Sequence, residues 1–294
     1  MDEQGDVRGA ELRAFYAKLI TAMTATNNDR VVSAFSAVPR ERFSGPGPWK
    51  IAIPSGYLET PSNDLAYLYQ NVLVAISPDE TINNGEPAAH ARWLAALDVK
   101  EGEKVLQVGT GAGYYTAILA HLVGPSGQVL AYEIDQVRAA MSAANLAAIP
   151  TVRVLHRSGT DGPLPAVDAI YVNAGATHPV DAWLDALTPK GRLLFPLTGS
   201  EHFEPDRGRW AVTGGMLLVH KTEQGDFAAR FISPAGFIGC IGAREDATTE
   251  ALSAAFRRGD FWNVQSLRRG TMPDNTCWYA GSGWWLSTAP PPAD

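Results

Sequence analysis

Apolar side chains in the first part of the chain recur at two different spacings. Residues 12–23 carry them every three or four positions, which predicts an amphipathic helix. Asn27, Asn28 and Asp29 interrupt this pattern and offer an N-cap for a second, shorter helix that ends near Pro39. Residues 44–57 are rich in glycine and proline and predict a loop, whereas 72–76 form an apolar run that predicts a short strand.

From residue 104 onwards, short apolar runs alternate with helical patterns. The predicted strands cover residues 104–108, 128–133, 152–156, 168–173 and 191–197, and the helices between them cover 114–123, 136–146 and 179–187. Parallel strands need crossover connections, so this alternation predicts an α/β fold with a doubly wound, mostly parallel sheet. Runs at 216–220 and 227–232 predict antiparallel strands at the sheet edge, and 243–259 predicts a helix.

Composition and charge exclude several classes of protein. The 294 residues are 46% hydrophobic, which is enough for a sizeable core. A net charge of −7 without a lysine or arginine cluster argues against binding to nucleic acid or anionic membranes. Cys240 and Cys277 are too few for a disulfide scaffold and have no zinc-site spacing, so no metal is expected. No signal peptide or long apolar run is visible, and a cytoplasmic protein is expected.

A glycine-rich turn lies between the first predicted strand of the alternating region and its following helix. Gly109, Gly111 and Gly113 alternate with Thr110 and Ala112. Glycine permits a sharp turn and lets a ligand approach the main chain without a Cβ atom in the way. This context, a strand before and a helix after, is typical of nucleotide-binding turns.

An acidic residue at the end of the next predicted strand supports a ligand at this turn. The Glu133 carboxylate would accept hydrogen bonds from both ribose hydroxyls of a nucleotide-like ligand. Dinucleotide-binding turns read G-x-G-x-x-G, whereas this one reads G-x-G-x-G and continues with Tyr114 and Tyr115. A ligand without phosphates, such as S-adenosylmethionine (SAM), suits it better. The alternative, a tight turn without a ligand, is disfavoured because Glu133 agrees with the glycines.

Several motifs together resemble the protein-L-isoaspartate O-methyltransferase family, a branch of the class I SAM-dependent methyltransferases. The similar segments, in the right order between about residues 31 and 245, are 34–43, 105–116, 122–129, 168–176 and 187–197. The resemblance implies a Rossmann-like methyltransferase fold, SAM as the cofactor and a peptide or protein as the substrate. It implies three parts: an N-terminal helical region on the substrate side (1–80), a methyltransferase domain (81–245) and an aromatic C-terminal extension (246–294).

The loop before the first strand of this domain departs from the family pattern. Family members carry T-I-S-x-P there, and the serine hydroxyl is implicated in holding the substrate carboxylate. Here Thr81, Ile82 and Pro87 match, the serine is absent and the loop is two residues longer. Either Asn83 or Asn84 could instead donate a side-chain N–H to a carboxylate. Glu86, in the same loop, would repel a carboxylate unless it is turned away or protonated.

A second departure follows the third strand, where the family has G-D-G with the aspartate near the adenine. Ser158 stands at the aspartate position, and Asp161 is the other candidate for the adenine contact. With the resemblance taken into account, the predicted cofactor-binding residues are Gly109, Thr110, Gly111, Gly113, Tyr114, Glu133, Ser158, Gly159, Thr160, Asp161 and Asn173.

The need for a catalytic base depends on the methyl acceptor. A carboxylate is ionised at pH 7 and needs none, whereas an alcohol does. Thr81, Asn83, Asn84 and His90 are the predicted catalytic residues. His90 is either a base facing the cleft or a helix residue with a structural hydrogen bond. His178 is either near the substrate entrance or a solvent-exposed loop residue, and Tyr114 or Tyr115 either covers the methionine part of the cofactor or packs in the helix.

The favoured function is therefore methyl ester formation on a carboxylate of a peptide or protein, of the isoaspartyl or aspartyl type. The divergent loop and the extension fit a specialised peptide, such as a modified natural-product precursor. Two alternatives are methylation of a small-molecule hydroxyl with His90 or His178 as base, and a SAM-binding module whose catalytic loop has decayed. The extension, with Trp262, Trp278, Trp284 and Trp285, would cover the cleft, bind a partner or complete a homodimer.

Overall fold

Two compact units form the computed structural model, which describes residues 3–77, 79, 81–204 and 209–292. Unit 1 consists of Met1–Lys104 and Thr110–Arg157, and unit 2 consists of Val105–Gly109 and Ser158–Asp294. Each unit thus combines segments that are distant in the sequence. The division into 1–80, 81–245 and 246–294 stays a prediction.

Regular elements cover most of the described chain. The helices are α1 (Glu3–Met23), α2 (Asp29–Ala37), α3 (Leu65–Leu68), α4 (Pro87–Leu97), α5 (Tyr114–Val123), α6 (Gln136–Leu146), α7 (Asp181–Ala186) and α8 (Asp246–Arg257). The strands are β1 (Lys50–Ile53), β2 (Gly56–Glu59), β3 (Lys104–Val108), β4 (Gln128–Glu133), β5 (Val152–His156), β6 (Val167–Val172), β7 (Leu187–Glu204), β8 (Arg209–Lys221), β9 (Phe227–Pro234), β10 (Ser266–Arg269), β11 (Cys277–Gly281) and β12 (Trp284–Ser287). No helix in these ranges is long and apolar enough to cross a bilayer.

Helices α2 and α6 of unit 1 begin where side chains cap free backbone N–H groups. The predicted N-cap of α2 is confirmed, because the Asn28 Oδ1 atom accepts from the N–H groups of Arg30 and Val31. Asp135 caps α6 in the same way through the Arg138 N–H. Helix α6 connects β4 to β5, and these two strands pair in parallel as predicted.

A hairpin replaces the predicted loop in the region rich in glycine and proline. Strands β1 and β2 pair antiparallel, with Ile51 opposite Leu58 and Ala52 opposite Tyr57. The prediction of a strand at 72–76 is also wrong, since only isolated bridges from Val74 to Ile51 and from Ala75 to Asn83 form there. Ile51 packs against a small apolar cluster, and this packing holds the hairpin to the segment that follows α3.

Unit 2 is built around strands in the order β11-β12-β10-β9-β8-β7-β6-β3. Strand β6 pairs in parallel with β3 and with β7, and the strands after β7 pair antiparallel. The chain passes through β4 and β5 before β6 returns to the side of β3, which is the crossover pattern of a doubly wound sheet. The predicted α/β class is confirmed as a Rossmann-like fold. The fifth predicted strand is longer than expected, because β7 starts at Leu187 and continues past residue 197.

The C-terminal extension contributes to the core of unit 2. Helix α8 and strands β10 to β12 bury Trp278, Trp284 and Trp285, while Trp262 is 53% exposed. Rings of Phe231, Phe256 and Trp278 meet edge to face at centroid distances of 5.2–5.6 Å. The extension therefore completes a folded unit, and its role in a homodimer stays a prediction.

The two cysteines differ in their surroundings. Cys240 is buried, and this burial raises the pKa of its thiol to about 11. Cys277 is only half-buried, and this burial, together with the charge of Asp274, raises the pKa of its thiol.

Candidate active site

The glycine turn after β3 uses backbone angles that favour glycine. Gly109, Gly111 and Gly113 have φ values of 78°, 58° and 96°. A Cβ atom on Gly113 would lie 2.9 Å from the Leu146 Cδ1 atom, so a side chain there meets both strain and a close contact. Helix α5 begins at the next residue, Tyr114. The turn thus places backbone without side chains at the N-terminus of helix α5, as the sequence predicts.

Glu133 is the acidic group at the end of β4 and lies in unit 1 with most of the turn. Its side chain is 5% exposed, and its Oε2 atom accepts a hydrogen bond of 2.9 Å from the Gly111 N–H. Its Oε1 atom accepts one of 3.1 Å from the Asp135 N–H and lies 3.6 Å from the Arg138 Nε atom. An ionised carboxylate has about four acceptor positions, so capacity remains for the two hydroxyls of a ribose.

Asn173 follows β6 in unit 2 and has an unsatisfied polar atom. Its backbone N–H donates to the Val108 carbonyl over 2.8 Å, which fixes the residue at the carboxyl end of the strand. Its side-chain Oδ1 atom is buried without a hydrogen-bond partner. Buried acceptors of this kind normally have a donor. A bound ligand would supply one. Within unit 1, Gly111, Gly113 and Glu133 fit SAM in residue type.

The loop after β5 is held tightly in unit 2. The Ser158 Oγ atom accepts from the Thr160 N–H over 3.1 Å and lies 2.8 Å from the Thr160 Oγ1 atom. Gly159 packs so closely that a Cβ atom would lie 2.3 Å from Val108, and its carbonyl accepts from the buried Trp183 Nε1–H over 2.7 Å. Asp161 is exposed. Contacts of Ser158 and Asp161 with an adenine stay predictions.

Residues 81–87 of unit 1 form the loop that is the candidate site for the methyl-accepting carboxylate, and we call it the acceptor loop. Its conformation is fixed by its own amide side chains. The Asn83 Oδ1 atom accepts from the Gly85 N–H over 2.9 Å, and its Nδ2 atom donates to the Tyr57 hydroxyl over 3.2 Å. The Asn84 Oδ1 atom accepts from the Val74 N–H, and its Nδ2 atom is buried without a partner. The Thr81 hydroxyl donates to a carboxylate oxygen of Asp79 over 2.9 Å.

Glu86 is turned away from the loop centre. Its exposed carboxylate accepts a hydrogen bond of 2.6 Å from the half-buried side chain of Asn71. The Asn71 Oδ1 atom in turn accepts from the Ala88 N–H at the start of α4. The repulsion that Glu86 would exert on a bound carboxylate is reduced by this orientation.

His90 lies inside unit 1 with 2% exposure. Its ring stacks on the Tyr115 ring at a centroid distance of 3.6 Å and an interplanar angle of 5°. Burial, assisted by the nearby charge of Arg40, lowers the pKa of His90 to about 3. A general base works best with a pKa near the operating pH, so these surroundings favour the structural role over the catalytic one. Catalysis by His90 stays an untested prediction.

Tyr114 packs in an aromatic cluster of unit 1. Its side chain is 2% exposed and lies against the rings of Phe35, Phe43 and Tyr115. Burial raises the pKa of Tyr114 well above its usual value. Helix packing is therefore the role that the structure favours for this side chain, and its contact with the cofactor stays a prediction.

Arg40 is a buried charge that the sequence analysis did not single out. Its guanidinium is fully buried and donates to the carbonyl oxygens of Leu68, Gln70 and Val72 and to the Asn84 Oδ1 atom. These four oxygens come from the last residue of α3, from the segment after it and from the acceptor loop. Arg40 thereby ties the acceptor loop to the rest of unit 1. The sequence did contain one indication of its importance, because Arg40 lies in segment 34–43, which resembles the family.

Residues 238–245, just before the extension, form hydrogen bonds with the chain that follows β6. The Arg244 guanidinium donates to the Gly175 and Gly199 carbonyls and to the Thr198 hydroxyl over 2.9–3.3 Å. Gly175 also exchanges backbone hydrogen bonds with Ile238 and Cys240. We call residues 238–245 the clamp segment.

His178 lies beside the clamp segment and is partly exposed. Its Nδ1 atom is 3.3 Å from the Thr177 hydroxyl oxygen and 3.9 Å from a Glu245 carboxylate oxygen. The Thr177 Oγ1 atom also accepts from the Glu245 N–H. His178, Thr177 and Glu245 therefore contact one another. His178 is thus a partly exposed residue with local partners, and its place near the substrate entrance stays a prediction.

A Rossmann-like fold with a glycine turn after β3 and a buried acidic residue at the end of β4 is the arrangement found in class I SAM-dependent methyltransferases. The family model described as protein-L-isoaspartate(D-aspartate) O-methyltransferase matches residues 14–206. The chain belongs to this family and is a methyltransferase that uses SAM. Residues after 206, which include the clamp segment, lie beyond the matched part.

Individual relatives agree with this membership. The protein-L-isoaspartate O-methyltransferase of Methanopyrus kandleri is 31% identical over 220 residues, covering 73% of this chain and 84% of the relative. Protein-L-isoaspartate O-methyltransferase 2 of Archaeoglobus fulgidus is 30% identical, covering 74% of this chain and 90% of the relative.

Solved structures resemble the fold. A protein-L-isoaspartate O-methyltransferase has a TM-score of 0.61 at 20% identity, covering 77% of this chain and 65% of that one. A protein of the same description from Plasmodium falciparum, in complex with S-adenosyl-L-homocysteine, has a TM-score of 0.58 at 18% identity and covers 78% and 97% of the two chains.

Proposed function

We propose that this chain methylates the side-chain or main-chain carboxylate exposed at an isoaspartyl or aspartyl residue of a peptide or protein. The product is a methyl ester. The proposal follows from the family and from the acceptor loop, which offers amide donors and lies close to a buried histidine. The observation that carries it is the burial of His90 against Tyr115, because a ring that is 2% exposed and stacked, with its pKa lowered to about 3, is a poor general base at neutral pH. A carboxylate acceptor needs no such base.

The reaction is an in-line displacement. One carboxylate oxygen forms a bond to the methyl carbon as the carbon–sulfur bond breaks, and the electron pair of that bond stays on sulfur. No proton is transferred. The protein contributes alignment and exclusion of water, effects that can lower such a barrier by about 7–11 kcal/mol.

We infer that the cofactor site uses the predicted residues in two groups. The backbone of Gly109, Gly111 and Gly113 would contact SAM, and the Glu133 carboxylate would accept hydrogen bonds from its ribose hydroxyls. The Asn173 Oδ1 atom would accept from a polar hydrogen of the ligand. SAM supplies an electrophilic methyl group on a sulfonium when it is bound.

The acceptor is tested with labelled SAM and a matched pair of peptides. The pair has one sequence and differs only in an isoaspartyl or an aspartyl linkage. We expect radiolabel on the isoaspartyl peptide that alkali releases, because methyl esters are base-labile. The Glu133→Gln variant serves as a control and should bind SAM at least about tenfold more weakly in calorimetry, since it loses an acceptor for the ribose.

Two results would overturn the proposal. Label that survives alkali would indicate an ether or N-methyl product and a different acceptor. SAM binding without transfer to either peptide, or to a pool of aged proteins, would indicate a binding module. Efficient transfer to one natural peptide but not to generic isoaspartyl peptides would support the specialised substrate.

A further inference from the structure

Tyr57 places a hydroxyl group at the acceptor loop from the neighbouring hairpin. It lies in β2 opposite Ala52 of β1, and Ala75 forms a bridge with Asn83. The Ala75 N–H also donates to the Lys50 carbonyl, so these short segments lie side by side. The Tyr57 hydroxyl and the Asn83 side chain are in contact across these segments.

The hydrogen bonds of Asn83 define the direction of the contact with Tyr57. The Asn83 Oδ1 atom accepts from the Gly85 N–H, so the other end of the amide must be the donor. Its Nδ2–H therefore donates to the Tyr57 hydroxyl oxygen over 3.2 Å. The hydroxyl proton of Tyr57 then has to point elsewhere, and it has no acceptor within the described part of the chain.

Tyr57 is only half-buried and its contact with Asn83 is part-buried, so this side chain is not enclosed in the core. An O–H group that already accepts an amide N–H is polarised and becomes a better donor. Hydrogen bonds from such a group to a carboxylate are short and strong. The position is also suitable, because Asn83 follows Thr81 and Ile82 at the place where the resemblance expects a serine hydroxyl.

We propose that Tyr57 donates the hydrogen bond that holds the acceptor carboxylate, with Asn83 as the positioning residue that orients its hydroxyl. This inference rests on the proposed carboxylate acceptor. It assigns a role in substrate binding to the β1–β2 hairpin and explains how the site works without the family serine.

The role has a specific kinetic signature. The carboxylate loses its negative charge as it becomes an ester, so a hydrogen bond to it is stronger in the bound peptide than in the transition state. Removing such a bond raises KM and leaves kcat unchanged or slightly higher. A merely structural role of Tyr57 would instead lower kcat or the melting temperature.

The test compares Tyr57→Phe with wild-type enzyme on an isoaspartyl peptide. We expect KM for the peptide to rise about 10- to 100-fold, the range for a hydrogen bond to a charged group, with kcat within about twofold and SAM affinity unchanged. The matched control is Tyr279→Phe, which removes a phenol hydroxyl of the extension that lies 3.5 Å from the Thr248 carbonyl. This control should leave KM unchanged.

A double-mutant cycle tests the part played by Asn83. Asn83→Ala should raise KM in wild-type enzyme and have little further effect in Tyr57→Phe, because the two residues act as one unit. An unchanged KM in Tyr57→Phe, or a fall in kcat together with the melting temperature, would overturn the inference. Absence of any methyl ester with wild-type enzyme is a separate result, which would overturn the proposed function itself.

Discussion

At the scale of single residues, burial decides what His90 can do. The ring is stacked on Tyr115 and lies close to Trp93, with a ring-centroid distance of 5.0 Å to the latter. Burial and the charge of Arg40 keep it neutral at any pH well above 3. In the unfolded chain the same histidine titrates near pH 6.5. This difference links its protonation to stability.

His90 should make the protein less stable in mild acid. Below pH 6.5 the unfolded chain binds a proton that the folded chain does not bind, so the free energy of unfolding falls as the pH falls. Between pH 7 and pH 5 we expect a loss of about 2 kcal/mol from this group, based on the shift from 6.5 to about 3. Urea unfolding of wild type and His90→Gln at both pH values measures it. An equal loss of unfolding free energy in wild type and His90→Gln would show that His90 is not the group responsible.

Gly113 offers a test of the glycine turn with a matched control. Gly113→Ala adds strain at φ 96° and a contact of 2.9 Å with Leu146, so we expect SAM affinity to fall at least about tenfold. Gly225→Ala has the same backbone angle, 97°, with nothing within 4 Å of the added Cβ atom. It should lose stability without losing affinity. Calorimetry with SAM distinguishes the two, and equal affinities would show that the turn tolerates a side chain.

At the scale of elements, one arginine connects several short pieces of unit 1. Arg40 extends from a 3-10 helix, Arg40–Phe43, to carbonyls at the end of α3 and just after it, and to the acceptor loop. These segments have little regular structure of their own. Their buried carbonyl groups need donors, and the guanidinium provides them from one side chain.

Replacing Arg40 should therefore cost far more than replacing an exposed arginine. Arg40→Met leaves several buried oxygens without donors, at about 1–3 kcal/mol each, so we expect a loss of at least about 3 kcal/mol. Arg257→Met breaks an exposed ion pair with Glu250 and should cost less than about 1 kcal/mol. Chemical denaturation of both variants checks the difference. A similar cost for the two would mean that the segments are held by packing alone.

The sequence predicts some elements much better than others. Strands β3, β4 and β5 and helices α5 and α6 lie at the predicted residues, because each is a continuous apolar or amphipathic run bounded by clear breaks. The β1–β2 hairpin was predicted as a loop, since glycine and proline around it concealed the alternation of Ile51 and Ile53 before the Pro54-Ser55-Gly56 turn.

The candidate site was predictable only in part. The glycine turn and Glu133 follow from local patterns within one strand–helix–strand segment. The partner of Asn83, by contrast, lies 26 residues away in the hairpin, and the partners of Arg40 lie up to 44 residues away. Such contacts depend on tertiary packing, which a local pattern does not contain.

At the scale of the whole molecule, the extension is part of the core of unit 2. Strand β10 pairs with both β9 and β12, and Trp278 packs among the rings of Phe231 and Phe256. The Trp278 Nε1–H also donates to Asp260 over 2.7 Å. Aromatic residues that the composition marks as unusual thus stabilise the sheet of this unit.

Two tryptophans of the extension should differ strongly in their contribution to stability. Trp278→Ala removes a buried ring from a packed cluster, and we expect a loss of about 3–5 kcal/mol. Trp262 is 53% exposed, so Trp262→Ala should cost less than about 1 kcal/mol. Thermal unfolding of the two variants measures this. Equal melting temperatures would show that the extension is only loosely attached.

The clamp segment has a consequence for the order of events during synthesis. Gly175 and Thr177 complete their backbone hydrogen bonds only with residues 238, 240 and 243, and Arg244 caps the same stretch. A nascent chain that has left the ribosome only as far as residue 206 therefore has the glycine turn, Glu133 and the bonds from Ala176 to β7, but lacks the bonds that hold Gly175 and Thr177. Methyl transfer should begin only after the distal residues have emerged, so translation itself delays the appearance of the working enzyme.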